Sequence, residues 1–555
     1  MTASAVLEAA TRRAERVRDS ARSRFEKGYD LVERLRSPLP EARPYVPGET
    51  RLARTLLPPA LLGFAGSVLV LVGASRPTSP FTLNLFNIQH QHQVVPPGLT
   101  TWYFGVGPAG SENIFYGVVA VYAGMLLMIR AWLRVHRLTR LHPGIPVARL
   151  VPVFLCWVAP LLVVAPLFSH DIYSYVGQGE EMTRHINPYQ YGPQVLGLGG
   201  NPFASGVDQI WNDVTSPYGP VFLWLSGTIL TVVDHNYLAA VVGFRLLAVV
   251  GVVLMAVFIP RLARSYGRDA SKAFVLVALN PLVLLHLVAG GHNDALMMGL
   301  LVAGLALARE RHPVVGIVLC TVGALVKVPA IVGVVYIGWD WLGDDLPIRR
   351  RFRPVATAGV ISLAVMAAVT ELVGLGWGWV RGLTNPDTVR SWMDPATAVG
   401  LLASRLVSGV GLGDHTHVLL TVGRGGAFLV AAAIGVKLLL DAKGGVSSLR
   451  ALALTMLAVV LLGPVVQPWY LLWGLVLLAP IAAGRMNAVV IVLSIVSSFL
   501  GLPGGRVLLH EIVVSNPLVI ALFSAALVGV AAVPLLPKLR KLRLERGDRV
   551  LVSRT

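Results

Sequence analysis

The residues best suited to chemistry fall within positions 169–193, which read SHDIYSYVGQGEEMTRHINPYQYGP. The stretch holds a His-Asp pair, His170 and Asp171, a Glu-Glu pair, and four tyrosines, Tyr173, Tyr175, Tyr189 and Tyr191. A carboxylate in such company can take a proton from a hydroxyl, and aromatic rings can pack against the C–H faces of a sugar. An apolar run at 150–168 precedes it and is long enough to cross a bilayer, so Asp171 falls where the chain leaves the membrane. An ionisable residue at the mouth of a span is a functional-site candidate. Taken alone, the segment favours a blander reading, in which Asp171 starts a surface loop or caps a helix.

Further groups of the same character follow. They are His292, Asn293 and Asp294 in GGHND, Lys327 in ALVKVPA, Arg381, Arg390 and Asp394 in WGWVRGLTNPDTVRSWMDP, and Gln467, Trp469 and Tyr470 in VVQPWYLLW. Tyr218 sits in SPYGP, whose prolines fix a turn. Singly, each reads as structural: helix ends need caps, and a lone Lys327 snorkels. Together they suit one chemistry, with aromatic and hydrogen-bonding side chains for a sugar and cations for a phosphate whose apolar tail stays in lipid. His90 and His92 in QHQHQ lack a nearby acid or cysteine and read as a solvated loop.

The elements that must position these residues are membrane spans. Of 555 residues, 55% are hydrophobic and only 14% charged, and mean hydropathy is +0.68; a soluble domain carries nearer a quarter charged residues. The net charge of +18 sits in short loops and at both ends, where it sets orientation and does not call for nucleic acid. Cys156 and Cys320 lie in apolar runs and imply no disulfide framework. The first forty residues lack a signal-peptide core, which places the N-terminus in the cytoplasm.

The expected fold is therefore all-α and polytopic, with about 14 transmembrane helices. Residues 1–56 form a basic, amphipathic cytoplasmic segment and linker, 57–536 the membrane domain, and 537–555 a basic cytoplasmic tail. The loop after Arg134, Arg137, Arg140 and Arg149 is cytoplasmic, whereas the segment at 169–216 is acidic and is placed outside. To keep the basic loop at Arg261, Arg264, Arg268 and Lys272 inside, 218–234 becomes an interfacial helix of a large extracytoplasmic loop at 169–236, and 395–411 an interfacial or re-entrant element. The polar motifs then gather on the outer face. No P-loop or dinucleotide fingerprint is present.

The ordered set SHDIYSYVGQG, NPYQYGP, SPYGPVFLWL, LNPLVLLHLVAGGHNDALM, LVKVPA and QPWYLLW resembles the polyprenol-phosphomannose-dependent alpha-1,6-mannosyltransferases, the MptA and MptB group of GT-C glycosyltransferases. The resemblance covers about residues 57–533. It implies a multi-pass cell-membrane enzyme that extends the alpha-1,6-mannan backbone of lipomannan and lipoarabinomannan. Its partners would be a polyprenyl-phosphate-mannose donor lipid and a lipid-anchored mannan acceptor. Asp171 would be the catalytic base, and His170 its neighbour, orienting it or binding phosphate. Tyr173, Tyr175, Tyr189, Tyr218, His292, Asn293, Asp294, Lys327, Arg381, Arg390, Gln467, Trp469 and Tyr470 are expected to bind donor or acceptor. No fixed DxD signature requires a metal, which leaves a divalent cation open and no cofactor named. The rivals are a GT-C enzyme using another polyprenyl-phosphate-linked sugar and a lipid-carrier transporter or flippase. Transporters usually show related halves with broken helices, and no internal repeat is visible.

Overall fold

The structure is a computed structural model and describes residues 50–75, 111–197, 201–344, 346–382 and 394–502, together with Leu508. The expected N-terminal segment to residue 49, the histidines at 90 and 92, Arg390, the last expected span and the basic tail lie outside the described residues. Among those described, every regular element is helical and there is no strand.

The first helices are α1 (Thr50–Ala74), α2 (Ser111–Leu141) and α3 (Val151–Leu161). The indole of Trp157 on α3 donates to the Ala60 carbonyl at 2.9 Å and ties α3 to α1. Next come α4 (Asp171–Thr183), α5 (Pro220–Val232), α6 (Tyr237–Ser265) and α7 (Ala270–Val277). Side-chain caps start two of these: Asn236 accepts from the Ala239 N–H before α6, and Asp269 from the Lys272 N–H before α7. A π-helical stretch, Val283–Ala289, precedes α8 (Asp294–Arg309). The remaining helices are α9 (Pro313–Ala324), α10 (Ile331–Asp340), α11 (Ile348–Val373), α12 (Pro395–Gly409), α13 (Thr416–Asp441), α14 (Val446–Leu462), α15 (Leu472–Leu478) and α16 (Gly484–Ser498).

Five helices among the described residues, α1, α2, α6, α11 and α13, are long and apolar enough to cross a membrane, or six if the stretch at 283–289 and α8 count as one span. The axes of that pair meet at 114°. Hydropathy predicts more crossings because it registers apolar content and not axis direction. Many of the expected spans are helices of 10–17 residues, at most about 25 Å long at 1.5 Å per residue, against a hydrocarbon core of about 30 Å. The run at 150–168 is one such case: its helix stops at Leu161, in the turn that holds Pro160, and the chain to His170 is not helical. On α11 and α13, Val360, Leu363, Leu372, Val418, Val422, Phe428 and Leu429 face outward uncovered, the apolar surface that lipid would cover.

The central layer is α6 against α8. A Cβ on Gly251 would lie 2.2 Å from the Ala295 carbonyl carbon, and one on Gly299 would lie 2.5 Å from the Gly251 carbonyl. Only residues without side chains allow helices so close, which is how membrane helices gain packing where lipid supplies no hydrophobic drive. This contact fixes the N-terminal end of α8, where Asp294 sits.

Candidate active site

Asp171 occupies the first turn of α4, where an acid complements the helix dipole, and its backbone N–H donates to Ser169 Oγ at 3.1 Å. The approach to it is strained. Phe168 has a left-handed φ of 62°, a conformation that bulky residues avoid and that clusters at functional sites. The segment expected to form a loop begins instead as a packed helix, with Ile172, Tyr173, Tyr175 and Val176 all buried. The Asp171 side chain keeps 23% of its surface exposed.

The partner of Asp171 comes from a distant motif. His292 Nδ1 lies 3.1 Å from Asp171 Oδ2, and the histidine is fully buried. It reaches that place because the chain breaks between the π-helical stretch and α8. Gly291 takes a φ of +71° there, a conformation that favours glycine. The ring is then held by stacking, with Trp469 at 3.8 Å between centroids and 19° between planes. Trp469 stacks on His286, and His286 on Phe168, at 5.7 and 5.2 Å. The same break sets the Asn293 N–H 3.4 Å from the Tyr175 hydroxyl oxygen, to which it donates.

A second cluster adjoins the first. Asp294 is buried and accepts at both oxygens, from Lys327 Nζ at 2.8 Å and from the Trp473 indole at 2.7 Å. Lys327 also donates to the Tyr470 hydroxyl at 3.5 Å and lies 4.5, 5.7 and 5.9 Å from the ring centroids of Tyr470, Trp473 and Tyr218. The SPYGP turn arrives here by backbone pairing: the N–H groups of Gly219 and Val221 donate to the carbonyls of Val326 and Leu325. A Cβ at Gly219 would stand 2.1 Å from the Leu325 oxygen, so only glycine permits the approach. The Tyr189 hydroxyl donates to the Tyr218 carbonyl at 2.9 Å and fixes the turn from the other side.

The remaining expected residues are placed less directly. His170 faces Asp208, 3.6 Å from Nδ1 to Oδ2. Tyr173 packs on Tyr237, with ring centroids 6.2 Å apart. Gln467 is half-buried and leads into the turn Pro468–Leu471 that carries Trp469 and Tyr470. Arg381 is exposed on the single turn Gly378–Gly382, which packs against Tyr189 and the Ser216 carbonyl. No group of three or more His, Cys, Asp or Glu side chains among the described residues is placed to hold a metal ion.

Two residues that sequence reasoning passed over organise the site. Trp473 lies inside the quoted QPWYLLW motif, and its indole is what completes Asp294. Arg245, fully buried on α6, donates from Nη1 to the Leu162 carbonyl and from Nη2 to the Ala289 carbonyl, at 3.1 and 3.0 Å. It thus joins the strand of chain leading to Asp171 to the end of the stretch leading to His292. A charged residue in the middle of an apolar 29-residue helix was the available signal.

Burial would by itself raise the Asp171 carboxyl. The hydrogen bond and charge of His292, then the Lys327 charge and the Ser169 hydrogen bond, outweigh it and hold the group below the ordinary carboxylate value. Asp171 is therefore ionised at neutral pH and able to accept a proton. Several buried polar atoms close by have no hydrogen-bond partner among the described residues: His292 Nε2, both amide atoms of Asn293, and Trp469 Nε1. Such orphans are rare in folded chains and call for a ligand or water.

Residues 60–343 match the family model described as the alpha-(1->6)-mannopyranosyltransferase N-terminal domain, and 396–534 match the MptB C-terminal domain. A probable alpha-(1->6)-mannopyranosyltransferase of Mycolicibacterium smegmatis is 32% identical over 482 residues, covering 79% of this chain and 82% of the relative. Alpha-(1->6)-mannopyranosyltransferase A of Mycobacterium tuberculosis is 32% identical over 437 residues, 77% and 81% of the two chains. Alpha-(1->6)-mannopyranosyltransferase B of Corynebacterium glutamicum is 33% identical over 383 residues, 64% and 62%. No solved structure matches. Asp171, the GGHND break and Lys327 all lie within the first matched region, and the chain belongs to the alpha-(1->6)-mannopyranosyltransferase family.

Proposed function

We propose that the chain is an inverting mannosyltransferase that moves mannose from a polyprenyl-phosphate-mannose lipid to the 6-hydroxyl of a mannan acceptor at the extracytoplasmic membrane face, building the alpha-1,6 backbone of lipomannan and lipoarabinomannan. The observation that carries this is one partly exposed, ionised carboxylate beside a set of buried polar atoms that lack partners. A polyhydroxylated ring would supply those partners, and the half-buried Tyr470 beside Lys327 would border it.

In this reading the acceptor hydroxyl gives its proton to Asp171 as its oxygen bonds to the anomeric carbon. The bond from that carbon to the phosphate oxygen breaks, and polyprenyl phosphate leaves with the electron pair. A beta-linked donor then gives an alpha product in one displacement. His292 orients the carboxylate through Nδ1, and Asp171, whose side chain keeps part of its surface exposed, takes the acceptor proton. Lys327 uses one N–H on Asp294 and one on Tyr470, and the third remains for a phosphate oxygen. Arg381 and Arg390 are the further cations assigned to the donor, and Tyr175, Tyr189 and Tyr218 are assigned to donor or acceptor binding.

The 114° break beside His292 is the feature that favours a lipid-carrier transporter, because discontinuous helices line transport sites. Purified protein given radiolabelled polyprenyl-phosphate-mannose and a short alpha-1,6-mannoside separates the readings. Chain extension through new alpha-1,6 linkages supports transfer. Movement of the lipid between leaflets with no covalent product sinks it, and extension with another lipid-linked sugar but not with mannose moves the donor assignment to a different GT-C chemistry.

A further inference from the structure

The helix that presents Asp294 carries a second cluster at its other end. α8 has 16 residues, so Arg309 lies roughly 22 Å along the axis from Asp294. There the C-terminal ends of α6, α8 and α10 meet the start of α14 around a cavity of about 480 Å³, within the ~300–1,000 Å³ common for small-molecule sites. Leu305, Ile337 and Leu452 form an apolar floor, and Arg309 and Arg311 stand among the polar lining.

The acids at this end are already engaged. Asp340 accepts from Ser448 Oγ at 2.7 Å and from the Gly445 N–H at 3.2 Å, and Arg351 Nη1 is 3.6 Å away. Asp344 lies 3.5 Å from Arg309 Nη1 and is half open to solvent. Arg311 has no acidic partner among the described residues, so the balance of charge around the cavity is positive. Arg309 lies 5.1 Å over the Tyr266 ring, yet its Nε is buried and hydrogen-bonds nothing among the described residues. A cation in the last turn of α8 complements the helix dipole, which accounts for the charge of Arg309 and leaves its unpaired Nε unexplained. The exposed Arg311 and the partly exposed Arg309, both lining a cavity with an apolar floor, match a phosphate group attached to an apolar or small organic body.

We propose that this cavity is a second binding site, at the opposite end of the bundle from Asp171, for a phosphate-bearing anion that Arg309 and Arg311 hold. Two ligands carry that chemistry, an anionic phospholipid headgroup and a soluble phosphate ester. The test follows the melting temperature of the full-length protein in detergent as phosphatidylglycerol, phosphatidylcholine or glycerol 3-phosphate is added. Wild type should be stabilised by phosphatidylglycerol, by glycerol 3-phosphate, or by both, and not by phosphatidylcholine. Whichever anion protects identifies the source. In Arg309→Gln/Arg311→Gln the half-saturating concentration should rise at least tenfold. Leu305→Trp, which fills the floor and leaves both arginines in place, should weaken the response in the same way. Absence of protection by either anion, or an unchanged response in the double variant, would overturn the proposal.

Discussion

The pairing of Asp294 with Lys327 makes a prediction that can be worked through from distances. The ammonium and carboxylate are 2.8 Å apart, with side chains 12% and 1% exposed. Removing one member of such a pair strands the other, at a cost of about 3–5 kcal/mol. Asp294→Asn keeps an acceptor for Trp473 but leaves the ammonium with its three rings alone. Lys327→Met leaves the carboxylate with only the indole. At about 2.1 cal/mol/K per residue, 555 residues melting as one unit give an unfolding entropy near ~1.2 kcal/mol/K. Each single change should then lower the melting temperature by about 3–4 °C. The double variant removes both charges and strands neither, so it should melt no lower than the worse single variant. The assay is thermal unfolding of all four proteins in one detergent, with donor affinity measured alongside. A double variant that melts at the sum of the two losses would refute the reasoning, because it would mean that the two charges do not interact.

Three other outcomes follow. Glu181 on α4 is buried with both oxygens unpartnered, and burial pushes its carboxyl up to about 8 from 4.5. Above 4.5 the unfolded chain ionises while the folded one does not, so stability should fall by on the order of a few kcal/mol as pH rises toward 8 and then level off. Glu181→Gln should melt with a shallower fall across that window than wild type, and identical pH dependence in the two proteins would contradict the assignment. Arg245→Met leaves the Leu162 carbonyl without that donor, at about 1–3 kcal/mol, while the Ala289 carbonyl keeps the Leu167 N–H at 3.4 Å. It should lower turnover as well as stability, and full activity per folded molecule would show that Arg245 does not position Asp171 and His292. Because Asp171 is held below the ordinary carboxylate value, the acid limb of kcat/KM should lie below that of a free aspartate, and a limb centred near pH 6 would point to a different base.

Much of the candidate cluster is legible in the sequence, because polar and aromatic residues at the mouths of apolar segments have few bland uses once they recur in order. Asp171, His292, Asn293, Asp294, Lys327, Trp469 and Tyr470 are brought together as the motifs suggested. What could not be read is who touches whom. Asp171 and His292 are 121 positions apart, and their contact depends on a sharp break that hydropathy registers only as two apolar runs. The apolar run before Asp171 reads as a full span for the same reason, since its helix stops at Leu161 while the apolar run continues to Phe168. Trp473 carries no sign of its role in the sequence, because the partner of its indole, Asp294, lies 179 positions away. Tyr173 belongs to the same motif as Asp171 yet turns into the core, as two helical steps of about 100° each require.

The most direct test is turnover by purified Asp171→Asn with labelled polyprenyl-phosphate-mannose and an alpha-1,6-mannoside. Loss of transfer by at least ~10²-fold, with donor affinity and melting temperature close to wild type, is the result expected of a base that contacts the acceptor. Transfer at the wild-type rate would contradict the account.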